Sequence, residues 1–204
     1  DYLTPRLFAP LGVSGMTWET CPRGINTGGW GLSITTETMA KFGQLYLQKG
    51  QWSGQQVLPA AWVEEATTFK IQQPARKGPK RPKETDDWQQ GYGYQFWRSQ
   101  NGAFRGDGAF GQFTIVLPEQ DAVVVMTSET KDMQGQLDLV WKHLLPAMTK
   151  TDASPALATR LRSLALPVPK SEGNAAWISQ INDKPFKVEA NDLGITELTF
   201  HQGE

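Results

Sequence analysis

The sequence predicts an α/β protein of the α+β type: an antiparallel sheet meander packed by helices, with a small C-terminal β appendage. Three observations predict it. Tyr92 to Ser128 holds three runs rich in aromatic and β-branched residues, starting at Tyr92, Phe104 and Asp121. Turn-forming residues separate them, at Ser99 to Gly102 and at Pro118 to Asp121, which is the signature of short antiparallel connections. On either side of this stretch, apolar residues recur at helical spacing, as in Leu137, Val140, Trp141 and Leu144. Finally, 39% hydrophobic and 20% charged residues in a chain of 204 describe a globular protein able to bury one sizeable core.

The elements follow in order. Leu3, Leu7, Phe8 and Leu11 have helical spacing with Pro5 in the first turn, so a short N-terminal helix is expected. Ser14 to Trp30 has no period and reads as an irregular loop containing Gly15, Gly24, Gly28 and Gly29. Thr35 or Thr36 can cap a helix running to Lys49, with Gly50 as its stop and Met39, Phe42, Tyr46 and Leu47 on its buried face. Lys41 falls off that stripe. Trp52 to Gly54 is a turn, and Leu58-Pro59 opens a second helix through Thr67, with Trp62, Val63 and Ala66 on one side. Phe69 to Asp87 is a long, basic, proline-spaced loop. After the meander, a helix is expected from about Met133 to Leu145, stopped by Pro146. Thr149 to Pro155 reads as a linker, Ala156 to Leu164 as a helix and Leu166 to Lys170 as an extended connector. Between Trp177 and Phe200, two strands, Phe186 to Glu189 and Gly194 to Phe200, flank an Asn191-Asp192 turn. The organisation expected is residues 1–149 as one domain and 150–204 as linker, helix and partial β appendage.

Composition excludes several functions. A net charge of -1 gives no electrostatic case for nucleic acid or an anionic membrane. The Lys70 to Lys83 cluster could attract polyanions, but it lacks interleaved aromatic residues and reads better as a solvated loop. One cysteine, Cys21, allows no intrachain disulfide, and with only two histidines it makes no convincing zinc site. No metal or cofactor is expected. No apolar run approaches the length of a membrane helix, and no signal peptide is visible.

The glycines of the middle strand draw the eye. Gly106, Gly108 and Gly111 lie where a strand should carry side chains. Such glycines mark either a kink that eases packing or a wall that lets a ligand or backbone come close. The run Arg105-Gly106-Asp107-Gly108-Ala109-Phe110-Gly111-Gln112, followed by Leu117-Pro118-Glu119 and Val123 to Val125, resembles the third motif of the serine β-lactamase and penicillin-binding-protein-like hydrolases. The similarity is greatest to their class C-like branch of esterases, D-amino peptidases and 6-aminohexanoate-dimer hydrolases. Phe8 to Val13, with Pro10-Leu11-Gly12, Asn26 to Thr36, Met39 to Leu47, Trp52-Ser53-Gly54 and Leu58-Pro59 resemble further segments of that family in order. The resemblance covers about three quarters of the chain, and its specificity lies in that order.

The resemblance implies a C-terminal portion of the β-lactamase/transpeptidase-like fold, a serine hydrolase with an acyl-enzyme mechanism and no cofactor. It also implies a periplasmic or extracytoplasmic location and a small ester, amide or peptide substrate. The family's Ser-x-x-Lys and Tyr-x-Asn/Ser motifs precede Pro10-Leu11-Gly12, so the nucleophile is expected upstream of Asp1. Within the chain, Ser128-Glu129-Thr130-Lys131 has the right spacing, but it aligns with the far end of the last strand. The third motif maps onto Gly106, Asp107 and Gly108, with the Ala109 N–H completing an oxyanion hole. Its first position is glycine rather than lysine or histidine, which removes a cation and favours a less anionic ester or amide. Trp30, Arg105 and Gln112 are candidate substrate-binding residues, although strand alternation puts Arg105 on the face opposite Gly106 unless a bulge intervenes. An alternative is a catalytically inactive relative that binds peptide or cell-wall fragments in the same cleft.

Overall fold

The computed structural model describes residues 2–74, 81–148, 155–165, 175–191 and 194–201. Two compact units emerge, Asp1–Thr151 and Asp152–Glu204.

In the first unit, the expected N-terminal helix is a single wide turn over Thr4–Phe8, with Pro5 at its start. Proline removes a donor and the stretch is short, so a regular α-helix does not propagate. Leu3, Leu7, Phe8 and Leu11 still gather, packing with Val13 and Leu45. The irregular loop contains a small ribbon, β1 (Thr17–Trp18) against β2 (Leu32–Ser33). Helix α1 (Thr36–Leu47) is N-capped by the Thr35 hydroxyl, which accepts from the Thr38 N–H at 3.2 Å. A two-residue ribbon follows, β3 (Gln51–Trp52) with β4 (Gln55–Gln56), across the turn at Ser53-Gly54. Helix α2 (Ala60–Thr67) then buries Val63 and Ala66.

The central sheet runs in the order β5 (Trp97–Arg98), β6 (Phe104–Gly108), β7 (Gln112–Leu117) and β8 (Ala122–Met126), every neighbour antiparallel. The meander is as expected, but its first strand is shorter. Gln95 adopts φ 63° and breaks the run from Tyr92, leaving a bridge between Tyr92 and Trp97. Asn101 and Gly102 both take positive φ, matching the Asn-Gly signal for a tight hairpin.

Register divides the sheet into two faces. Phe104 lies opposite Val116 and Gly106 opposite Thr114, and these face α1 and α2; Arg105 lies opposite Ile115 and Asp107 opposite Phe113, and these face the C-terminal helix. On the first face, Phe104 and Val116 pack with Tyr46, Val63, Ala66 and Phe96. On the second, Phe113, Ile115 and Leu117 pack with Trp88, Leu137 and Val140. The expected helix from Met133 is α3 (Met133–Leu139), capped by Asp132 Oδ1 at 2.9 Å from the Gly135 N–H. It continues as a wider turn over Val140–Leu144 and a tight turn over Leu145–Ala147 at Pro146.

The second unit contains α4 (Pro155–Arg162), α5 (Ala175–Ile181) and a ribbon of β9 (Pro185–Lys187) with β10 (Glu197–Thr199). Trp177 lies in a helix rather than at the start of a strand region. The expected linker and connector fall largely outside the described residues, as do Asp192 and the basic residues 76–80. Of that basic loop, Lys70 pairs with Glu65 at 3.6 Å and Arg81 makes two bonds to Asp138, at 2.8 and 3.0 Å.

Candidate active site

The glycines of β6 form one wall of an open cleft of about 490 Å³. Gly106, Gly108, Gln112 and Thr114 line it from the sheet; Leu32, Ser33 and Ile34 line it from β2 and the segment after it. Met39 of α1 and Thr127 after β8 complete it. The Thr36 and Thr127 hydroxyls meet at 3.2 Å, tying the start of α1 to the end of β8. An apolar cavity of about 230 Å³ shares Leu32, Ile34, Met39 and Thr114 with this cleft.

Packing does not force glycine at Gly106. A Cβ there would meet only the Thr114 Cβ, at 3.9 Å, and the backbone has ordinary negative φ. Its missing side chain leaves the wall flat and the cleft open. Gly108 is tighter, since a Cβ would lie 2.9 Å from the Gln112 Cβ across the ladder. Strand β5 reaches no further along β6 than Arg105, so the glycine segment projects past the first strand of the sheet.

Asp107 borders the cleft through its backbone. Its carboxylate turns to the opposite face, where Oδ2 accepts from Arg105 Nε at 3.1 Å and Nη2 at 2.9 Å. Arg105 is fully buried. Its Nη1 donates to the Asp87 and Arg98 carbonyls, both at 3.2 Å, and to the Ser99 hydroxyl at 2.6 Å. Its guanidinium lies 4.6 Å from the centre of the Trp88 ring. The substrate-binding role considered for Arg105 does not fit this placement: strand alternation holds without a bulge, and the charge is spent in the core. Burial and the negative charge of Asp107 both hold the Tyr92 phenol above its usual pKa.

Of the other candidates, Ala109 and Trp30 do not line the cleft. Ala109 opens the hairpin turn and is exposed, with its carbonyl facing Gln112 Nε2 at 3.4 Å. The Trp30 side chain is 68% exposed, and its carbonyl accepts from Trp18 Nε1 at 3.1 Å and the Thr27 hydroxyl at 2.5 Å. Gln112 lines the cleft while its amide bonds the Ser128 backbone at both ends.

Ser128 and Lys131 do not form a one-turn pair. Residues 127–132 are not helical, and α3 starts at Met133. The Ser128 hydroxyl faces the Gly111 carbonyl at 2.8 Å and the Phe110 carbonyl at 3.0 Å, and accepts from Gln136 Nε2 at 2.8 Å. It fastens the hairpin turn rather than standing beside a base.

Sequence reasoning did not single out Ser33, Thr114 or Thr127 for the cleft, nor Asp87 behind it. Thr114 was within reach, since it lies across the ladder from Gly106. Asp87 is fully buried: Oδ2 accepts from Gln100 Nε2, Gln134 Nε2 and Trp141 Nε1 at 2.8, 2.8 and 2.9 Å, and Oδ1 from the Gln100 N–H at 3.0 Å. No periodicity marks such a residue. Among the described residues lining the cleft there is no lysine, histidine or tyrosine. The chain thus supplies hydroxyls and a flat backbone wall.

Comparison with known proteins identifies the family. No curated protein matches the chain. Among solved structures, a chain titled as a candidate 6-aminohexanoate-dimer hydrolase from Bacillus anthracis superposes with a TM-score of 0.49 at 21% identity. That match covers 81% of this chain and 39% of the other, so the chain spans well under half the length of that protein. The family model described as Beta-lactamase matches residues 1–145. The chain therefore belongs to the beta-lactamase family of serine hydrolase-like proteins.

Proposed function

We propose that the chain is the substrate-wall portion of a serine hydrolase that cleaves ester or amide bonds through an acyl-enzyme. The observation carrying this reading is the glycine-walled cleft on β6, which lies where the resemblance maps the third motif. In this reading, an upstream serine attacks the carbonyl, and an upstream lysine and tyrosine move the protons. The β6 backbone from Gly106 to Gly108 walls the substrate, and the Ala109 N–H just past its end is the oxyanion donor that the resemblance assigns. Water then releases the acyl group.

The cleft supports an uncharged substrate. Its hydroxyl, amide and aliphatic lining offers no cation, and the one acidic residue beside it is neutralised by Arg105. A small neutral ester or amide of the esterase and class C-like kind fits better than a β-lactam or peptide carboxylate. The location proposed is extracytoplasmic, in a bacterial cell.

The test is intact-mass detection of an acyl adduct on the complete protein after exposure to a p-nitrophenyl ester. We expect one adduct on a serine upstream of Asp1, and no turnover by residues 1–204 alone. An adduct on Ser128, or turnover by this chain that Ser128→Ala abolishes, would overturn the assignment. The absence of a cation at Gly106 favours a second reading, a non-catalytic relative that binds neutral peptide or cell-wall fragments. That reading expects saturable binding with no adduct.

A further inference from the structure

The cleft wall is built from a strand that should be soft. Gly106 and Gly108 flank Asp107, and glycine stabilises an extended strand least of all residues because it has the most freedom to lose. Strand β5 pairs only as far as Arg105, so from Gly106 onward the ladder holds β6 through β7. Yet the only side chain between the two glycines is turned inward and tied down. Arg105 and Asp107, two residues apart, share the core face of β6; their side chains are 0% and 7% exposed and meet at 2.9 Å. Arg105 is in turn fixed to two neighbouring segments: the Asp87 carbonyl with the face of Trp88, and the Arg98 carbonyl with the Ser99 hydroxyl. Asp87 itself is anchored to the β5–β6 turn, to α3 and to the turn after it. A buried ion pair is seldom the most stable filling for a core, and apolar residues of similar volume often do as well or better. Its distinctive contribution is directional: two bonds onto one carboxylate oxygen fix the rotation of the strand about its axis.

We propose that Arg105 and Asp107 are positioning residues that brace the glycine wall of the cleft from behind, setting the direction of the Gly106–Ala109 backbone. Calling that backbone a substrate wall rests on the hydrolase reading; the brace does not. The glycines keep the cleft side bare, and the pair restores from the core side the stiffness they remove. Sequence, local softness and function are thereby separated onto the two faces of one strand.

Amide hydrogen exchange on the complete protein tests this. Asp107→Ala and Asp107→Asn are compared with Leu137→Ala, which damages the same core layer without touching the pair. We expect exchange across Gly106 to Gly111 to rise at least tenfold in Asp107→Ala beyond any change in β7 and β8, whereas Leu137→Ala raises all three strands together. Asp107→Asn keeps an oxygen for Arg105 but loses the charge, and should give a smaller local rise, of about threefold. If Asp107→Ala does not fold, Asp107→Asn carries the comparison. A rise spread evenly over the sheet, as in Leu137→Ala, or no local rise in either variant, would overturn the brace. The readout does not require turnover, so a protein without hydrolase activity would sink the proposed function and leave this test intact.

Discussion

At Ser128 a four-residue pattern and a structure part company. Ser-x-x-Lys acts only when a helix stacks the lysine over the serine, and residues 127–132 lack that helix. What the hydroxyl does is hold the Phe110 and Gly111 carbonyls at a turn where both residues have positive φ, 64° and 92°. Ser128→Ala should therefore cost stability, by about 1–2 kcal/mol for a partly buried hydroxyl bonded on both sides. Urea denaturation checks this; an unchanged midpoint would show that the turn holds without it. Asp87 is a sharper case. Four donors converge on its fully buried carboxylate; Asp87→Ala takes the acceptor from the Gln100 N–H and Trp141 Nε1 and leaves Gln100 Nε2 and Gln134 Nε2 with only Thr85 and Asp138, and it should cost about 3 kcal/mol. A loss below about 1 kcal/mol would mean that water or rearrangement replaces the carboxylate.

Among the elements, α1 shows two effects in opposition. Gly43 sits mid-helix, where alanine would gain about 1 kcal/mol of intrinsic preference. A Cβ there would lie 2.6 Å from Val123 Cγ1 and 2.8 Å from Thr114 Cγ2, because the helix rests directly on β7 and β8. Overpacking of that kind costs about 1–3 kcal/mol, and two branched side chains cannot both retreat. Gly43→Ala should lower stability despite its helix preference, and a raised melting temperature would show that α1 can lift from the sheet. The same elements show what periodicity can and cannot reveal. The helical span of α1, the apolar run of β7 and the turn at Asn101-Gly102 are local signals, and the structure follows them, although the α1 stripe read from the sequence omits Leu45, the residue that helix buries most. The broken first strand, the wide turns at Thr4–Phe8 and Val140–Leu144 and the two-residue ribbons are set by single residues or distant contacts, so no local period announces them. In the site, the glycines were visible as missing side chains. Strand alternation also foretold the inward turn of Arg105. Its partners Asp87, Ser99 and Trp88 became evident only when the chain folded back.

At the scale of the whole molecule, the buried side chains, where described, all belong to the first unit, and its core clusters involve only residues from Leu3 to Met148. The second unit shows helices and a ribbon whose Trp177, Leu198 and Phe200 are exposed. The response of that core to alkali follows from Tyr46. Burial raises its phenol above the ordinary value of 10.0, while the Trp62 side chain pulls more weakly the other way. A group whose folded pKa is raised binds its proton more tightly in the native state than in the unfolded chain. Its contribution is complete below the unfolded pKa and is lost as pH climbs through the folded one. Stability should then be flat from neutrality to about pH 9 in this respect and fall steeply above about pH 10. Tyr46→Phe should flatten that alkaline fall, while any change at neutral pH reports the loss of the hydroxyl itself. Denaturation at pH 7 and pH 11 separates the two effects. An equal slope in both proteins would show that the phenolate forms without opening the layer between α1 and the sheet.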